Sequence, residues 1–213
     1  MALRLHAITL ADAAQNIPVG EDSAVALIPF RDLCAVVSPQ RSFVREETTA
    51  ASLEEHRRIV DRIFHQSSVV PAPAGVVFRS PDVLKRWMEL HYVSLSGALE
   101  FVEDRAVARL HIVRSDADAD ADAGGDEREA GSDLAAAATE AFRALRRHAV
   151  AAVPLRLEHV TGLVLSASFL VERDLWKDFL RAVEDQHDAH HLLRFDVTGP
   201  WAPYDFVRMQ FGG

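Results

Sequence analysis

The sequence from Leu192 to Val207, LLRFDVTGPWAPYDFV, contains the strongest local signals in the chain. Apolar and polar residues alternate from His191 to Val197, a pattern that predicts a β-strand buried on one face. Pro200 and Pro203 fix φ and remove backbone donors, so the following segment is predicted to be an extended tail rather than part of a central ladder. The tail carries three large aromatic residues, which require an apolar surface to pack against.

Strands and helices interleave along the rest of the chain. The clearest alternation runs from Leu163 to Val171, and similar patterns occur at Leu3–Ala7 and Ala108–Ile112. Amphipathic helical patterns lie between these strands in both halves. This order predicts an α+β fold made of two small α+β domains with antiparallel sheets, each covered by helices on one face, the C-terminal one ferredoxin-like.

Two helix starts are marked by capping residues. Ser52-x-x-Glu55 predicts a capping box at the start of one helix. Ser80-Pro81 pairs an N-cap with proline at the first helical position, and the apolar residues that follow predict one helix extending as far as Leu95.

An acidic stretch marks the predicted domain boundary. Eight acidic residues and one arginine lie between residues 116 and 133, so this stretch holds −7 of the net charge of −9. Its Asp-Ala repeat and Gly-Gly pair bury too little apolar surface to offset the entropy of ordering. The predicted organisation is an N-terminal domain at 1–115, a flexible linker at 116–132, a ferredoxin-like domain at 133–199, and a tail at 200–213 that packs back on the body.

Composition excludes several classes of function. The 213 residues are 49% apolar and 26% charged, as in a soluble globular protein. No apolar run approaches the roughly 20 residues of a membrane span, and no stripe of Lys and Arg suits a nucleic acid. The N-terminus lacks a secretory pattern and Cys34 is the only cysteine, which favours the cytoplasm.

Two segments contain residue types that bind metal ions. His187, His190 and His191 lie close to Asp188, and such groups bind zinc, but a position at a helix end favours a structural role. Asp118 to Glu129 places acids at the spacing of a calcium loop, although Ala123 occupies the position that needs glycine. A linker is the preferred interpretation, and no metal or other cofactor is predicted.

The sequence shows no arrangement typical of an enzyme. There is no Gly-x-Ser-x-Gly motif, no phosphate loop and no dinucleotide fingerprint, and Cys34 lies in an apolar strand without a neighbouring base. No catalytic residue is predicted, and we expect a protein that is not an enzyme.

The aromatic residues of the tail have two interpretations. They either fold back onto the protein or form part of a surface that receives a segment of another protein. The candidate residues for partner binding or tail packing are Phe78, Trp201, Pro203, Tyr204 and Phe206.

Four stretches together resemble the gas vesicle GvpF/GvpL family. They are Val70–Ser80, Ala108–Val113, Leu163–Val171 and, most specifically, Thr198–Phe206 with its Gly-Pro-Trp-x-Pro-Tyr-x-Phe sequence. The resemblance covers most of residues 70–207 and is weak before residue 50. Ala72-Pro73-Ala74 stands where the family typically shows an arginine-phenylalanine pair.

The resemblance implies a non-enzymatic accessory protein of gas vesicle formation, located in the cytoplasm in association with gas vesicles. The implied partners are the hydrophobic shell protein GvpA and other Gvp proteins, and the implied fold is two α+β domains with a ferredoxin-like C-terminal one. The alternative from the residues alone is a ferredoxin-like small-molecule-binding or regulatory module.

Overall fold

A computed structural model of the chain describes residues 1–15, 25–41, 43, 49–115, 127–156 and 162–207, with backbone alone for 127–130. It confirms an α+β fold with antiparallel sheets. The elements in chain order are β1 (Ala2–Leu10), α1 (Ala11–Ala14), β2 (Ala26–Phe30), β3 (Leu33–Gln40), α2 (Ala50–Phe64), β4 (Val69–Pro71), β5 (Val77–Phe78), α3 (Pro81–Leu90), α4 (Tyr92–Phe101), β6 (Arg105–Arg114), α5 (Glu127–Leu145), a 3₁₀ turn (Arg146–His148), β7 (Ala151–Pro154), β8 (Leu163–Glu172), α6 (Trp176–Ala189) and β9 (Leu193–Trp201).

The chain forms two compact units whose limits differ from the predicted domains. The first unit contains residues 1–104 and 202–213, and the second contains residues 105–201. The strand β6, which we predicted to close the N-terminal domain, belongs to the second unit because it pairs with β8 on one side and β9 on the other. Most of the predicted linker, residues 116–126, lies outside the described residues, and helix α5 already begins at Glu127.

The sheet of the first unit has helices on both faces, whereas we predicted helices on one face. Its strand order is β2-β3-β1-β4, with β5 also pairing with β1. Leu33 on β3 belongs to a core cluster with Leu84 and Met88 of α3. Its neighbour Cys34, which points to the opposite face, is also buried. That second face receives α2, whose His56 bonds to β1.

The two predicted helix starts have different outcomes. Ser80 accepts a hydrogen bond from the backbone N–H of Val83 and caps α3, as predicted. Helix α2 instead begins one residue after Thr49, whose Oγ1 accepts from Ser52 N at 3.2 Å. The predicted capping box at Ser52 was therefore wrong by about one turn.

One predicted helix is two helices in the structure. Helix α3 ends at Leu90 and α4 begins at Tyr92, with His91 between them at φ −106° and ψ 10°. Leu84, Met88 and Leu95 are buried in the first core, as the helical pattern predicted.

The second unit has the β-α-β-β-α-β element order that a ferredoxin-like domain requires. Its sheet order is β7-β8-β6-β9, and every pairing is antiparallel. Helices α5 and α6 pack on one face, where Phe169 of β8 lies between Phe142 and Phe179, with ring centroids 5.6 and 5.2 Å away. In the part of the chain described here, no helix has the length and apolarity needed to cross a membrane.

Candidate interaction surfaces

Gly199 begins the tail signature, and its position requires glycine. Its φ is +133°, and an added Cβ would lie 2.6 Å from the backbone oxygen of Val107 and 3.0 Å from Cη2 of Trp176. A side chain at this position would therefore combine an unfavourable backbone conformation with a steric clash. The peptide bond to Pro200 is cis.

Trp201 is the exposed aromatic of the tail. It is the last residue of β9, opposite Val107 in the register, and 37% of its surface is accessible. Its indole N–H donates to Thr198 Oγ1 at 3.1 Å, which holds the ring in place. The strand thus continues through Gly199 and Pro200, although we predicted that the tail begins there. Pro200 is tolerated because β9 is the outer strand of its sheet among the described residues.

The remaining tail residues belong to the first unit. Pro203 is buried, and Tyr204 and Phe206 are half-buried in a short turn closed by hydrogen bonds from Tyr204 N to Ala202 O and from Phe206 N to Pro203 O. Val207 packs against the first core. These contacts favour a packing role for Pro203 and Tyr204.

Phe78 is part of the first core rather than an open surface. It is 8% exposed, and its ring centroid lies 5.5 Å from that of Trp87 on α3. Of the five predicted site residues, Trp201 lies in the second unit and the other four lie in the first. Their exposure differs as well, since Phe78 and Pro203 are buried and Trp201 is exposed.

An apolar surface that we did not predict lies on α4. Val93, Gly97 and Phe101 follow one another at i, i+4 and i+8, so they share one side of the helix, which we call the α4 outer face. Val93 is 82% exposed and Phe101 39%, and no atom lies within 4 Å of the position a Gly97 Cβ would occupy. Leu90, just before this helix, is 77% exposed. The sequence signal was YVSLSGALEF, a mostly apolar helix whose polar residues, Ser94, Ser96 and Glu100, do not gather on one side.

A buried polar cluster lies on the α2 side of the first sheet. The Nδ1 atoms of His6 and His56 are 3.1 Å apart, and Nε2 of His6 is 2.9 Å from Ser38 Oγ. Burial, together with the neighbouring His56 and Arg4, lowers the pKa of His6 to about 3. Burial also lowers the pKa of His56, an effect that the Ala72 backbone partly offsets. Both rings are therefore neutral at physiological pH, and the cluster acts as a structural contact between β1, β3 and α2.

The ring of Tyr204 approaches this cluster from the tail. Its centroid lies 6.4 Å from that of His56. No pattern in the sequence indicates this grouping, because His6 and Ser38 are isolated polar residues within apolar strands.

The second unit has a cavity of about 360 Å³ between the 3₁₀ turn and the start of α6. Its lining combines two basic groups, two carboxylates and apolar side chains: Arg147, His148, Glu172, Asp178, Val150, Leu175 and Phe179. Because groups of both signs line it, the cavity does not select ligands by charge alone.

The histidines weighed as zinc ligands have structural contacts. The rings of His187 and His190 lie 6.0 and 6.5 Å from that of Phe195, at the end of α6. Among the described residues, no group of three or more His, Cys, Asp or Glu side chains is arranged to hold a metal ion. The candidate calcium loop from Asp118 to Glu129 lies mostly outside the residues described.

The fold and these surfaces define a class of protein. It is an α+β protein of two units, with antiparallel sheets and with apolar side chains exposed on its helices. A family model described as gas vesicle synthesis protein GvpL/GvpF matches residues 5–133 and 125–208. The chain therefore belongs to the GvpL/GvpF family, and the resemblance seen in the sequence is confirmed. The match begins at residue 5, so it extends well before the stretch from residue 70 that carried the resemblance.

Two curated relatives are similar to most of the chain. Gas vesicle protein F2 of Halobacterium salinarum is 26% identical over 189 residues, covering 87% of this chain and 81% of the relative. Gas vesicle protein F of Haloferax mediterranei is 27% identical over 192 residues, covering 88% and 84%.

Solved structures of gas vesicle protein GvpF share the fold. The protein from Anabaena sp. has a TM-score of 0.78 at 17% identity, covering 100% of this chain and 98% of its own. The protein from Microcystis aeruginosa has a TM-score of 0.73 at 14% identity, covering 98% and 99%. At these identities the likeness establishes the fold alone.

Proposed function

We propose that this chain is a non-enzymatic accessory protein of gas vesicle formation that binds the shell protein GvpA, other Gvp proteins, or both, during nucleation or assembly. The observation that carries the proposal is membership of the GvpL/GvpF family over residues 5–133 and 125–208. On this proposal the protein acts in the cytoplasm, next to growing gas vesicles.

The α4 outer face is the surface we assign to the shell protein. A wall subunit with a gas-facing apolar surface aggregates if that surface stays in water, so a protein that handles it needs an apolar surface of its own. Val93 and Phe101 offer such a surface, and Gly97 between them lets an incoming backbone approach closely. A glycine inside a helix costs about 1 kcal/mol relative to alanine, and no contact among the described residues explains its presence here.

Co-purification with GvpA from cells that express both proteins tests the proposal. Val93→Asp places a carboxylate in the α4 outer face and should abolish recovery of GvpA. Val83→Asp makes the same change at a valine of α3 that is 48% exposed, away from the α4 outer face, and should leave recovery unchanged. Equal recovery with both variants would remove α4 from the proposal, and no recovery with the unaltered chain under mild conditions would count against shell-protein binding itself.

Trp201 is the tail residue to which we assign a partner contact. Its exposed indole presents a large amphipathic surface of the kind enriched in protein interfaces. Phe78, Pro203, Tyr204 and Phe206 are assigned to packing within the first unit. Trp201→Ala should therefore weaken recovery of a Gvp partner, whereas Pro203→Ala should lower the melting temperature and leave recovery nearly unchanged.

The cavity of the second unit supports a second candidate, a small-molecule-binding or regulatory role. Its volume of about 360 Å³ is within the range of ligand pockets, and Arg147 and Asp178 would orient a polar ligand. A thermal-shift screen of metabolites tests this candidate. A hit whose stabilisation disappears in Asp178→Ala would support it, and a screen without hits would count against it.

A further inference from the structure

We infer that β9 pairs with β9 of a second copy of this chain, joining two four-stranded sheets across a two-fold axis at Phe195. The strand β9 is nine residues long and forms the outer edge of its sheet among the described residues. Unpaired edge strands are the usual site at which another chain adds to a sheet.

The direction of the backbone groups follows from the register. The carbonyl of Leu192 accepts from Ser115 N at 2.9 Å, and His111 of β6 lies opposite Asp196. Backbone groups alternate in direction along a strand, so the N–H and C=O groups of even-numbered residues in β9 point toward β6. The N–H and C=O of Phe195 and Val197 therefore face outward, where a second strand can bond to them.

The charges on this strand complement themselves under that symmetry. Arg194 binds Asp196 through three hydrogen bonds of 2.9 to 3.1 Å, with 52% and 46% of the two side chains exposed. A two-fold axis at Phe195 places Arg194 opposite Asp196 of the second copy, and the reverse. Both contacts fall at non-hydrogen-bonded positions, where opposed side chains are closest. A closed, isologous interface results, with each carboxylate between two guanidinium groups.

The apolar side of the same strand is consistent with this pairing. Leu193, Phe195 and Val197 point to the helix-covered face and pack in the second core. The axis brings the two Phe195 rings together, and Leu193 opposite Val197 of the second copy, so both cores become continuous across the interface. Aromatic and branched side chains opposed in this way add to the stability of strand pairs.

A charge-reversal pair tests the inference by sedimentation equilibrium on the full chain. The unaltered chain should form a dimer, and R194E or D196K alone should weaken it about tenfold or more because like charges then oppose each other. An equimolar mixture of R194E and D196K should dimerise again, since the first chain supplies two acidic and the second two basic groups at this edge. R57E and E54K reverse an exposed pair on α2 with the same change of net charge and should leave the dimer intact.

Three outcomes would overturn the inference. The first is an unaltered chain that remains monomeric at every concentration reached. The second is a mixture of R194E and D196K that associates no better than either variant alone. The third is a dimer that R194E and D196K weaken no more than R57E and E54K do, which would place the contact elsewhere on the chain. Circular dichroism confirms that each variant is folded.

Discussion

His6 on β1 and His56 on α2 face each other through their Nδ1 atoms, 3.1 Å apart and both shielded from solvent. A hydrogen bond between two such atoms requires one ring to donate and the other to accept, so at least one ring must be neutral. This contact joins the helix to the sheet only as long as the pair does not become doubly protonated.

We expect acid to destabilise the protein through this pair. An unfolded histidine takes up a proton near pH 6.5, whereas folded His6 does so near pH 3. Between these values the unfolded state binds more protons, so the stabilisation is complete above 6.5 and declines as the pH falls through this window. The slope should reach about 1.4 kcal/mol per pH unit for each such histidine. Denaturant unfolding at several pH values measures this slope. His6→Asn should make the free energy of unfolding depend less on pH, and the same pH dependence in the variant and the unaltered chain would contradict this account.

Replacement by alanine should change the stability in opposite directions at Gly199, where the tail signature begins, and at Gly97 on α4. Gly199→Ala should lower the free energy of unfolding by about 2 kcal/mol or more, because of its positive φ and the clash with Val107 O. Gly97→Ala, in an open helical position, should raise it by about 0.5 to 1 kcal/mol. Thermal melts of both variants decide the matter, and a neutral Gly199→Ala would mean that the tail turn adapts easily.

Gly97→Ala also separates stability from binding. If Gly97 is present to admit the shell protein, the stabilised variant should recover less GvpA than the unaltered chain in the co-purification assay. Undiminished recovery would show that the glycine has no role in binding.

Truncating the central phenylalanine of the second core should be severe. Phe169 is fully buried between two other rings, so Phe169→Ala should cost about 3 to 5 kcal/mol through lost burial and a residual cavity. Leu192→Ala, at a 54% exposed position nearby in sequence, should change the stability by less than about 0.5 kcal/mol. Urea unfolding of the two variants compares these values directly.

The start of α2 can be checked through its cap. Thr49→Ala removes the acceptor for Ser52 N and should cost about 1 kcal/mol. Ser52→Ala should cost less, since the partner of its hydroxyl among the described residues is the Thr49 carbonyl and not an unpaired N–H of the first turn. The reverse order of effects would restore the capping box first predicted from the sequence.

The elements were largely predictable because their signals are local. Alternation from Leu163 to Val171 predicted β8 almost to its ends, and Ser80-Pro81 fixed the start of α3. The membership of β6 was not predictable in this way, since Ala108–Ile112 shows that a strand exists and not which strands it pairs with.

The surfaces were harder to predict than the elements. Trp201, Tyr204 and Phe78 were chosen by residue type, but their exposure depends on packing across distant parts of the chain. The α4 outer face was missed because the polar residues of this helix do not gather on one side, so the sequence does not indicate which of its apolar residues are exposed. The His6–His56 contact joins residues 50 positions apart, and it coincides with a register shift between Leu5 and Ala7 that no alternation pattern reveals.

The first unit is built from an early and a late segment of the chain. This arrangement sets the order in which the two units can be completed during synthesis. The first 104 residues leave the ribosome early, yet Pro203, Tyr204 and Val207 are translated only after the whole of the second unit. The second unit is contiguous and can fold as soon as it emerges. The first must wait for the segment from Ala202 to Val207 before its hydrophobic centre is fully covered, so a ribosome that stalls just before Ala202 leaves one finished half and one unfinished half.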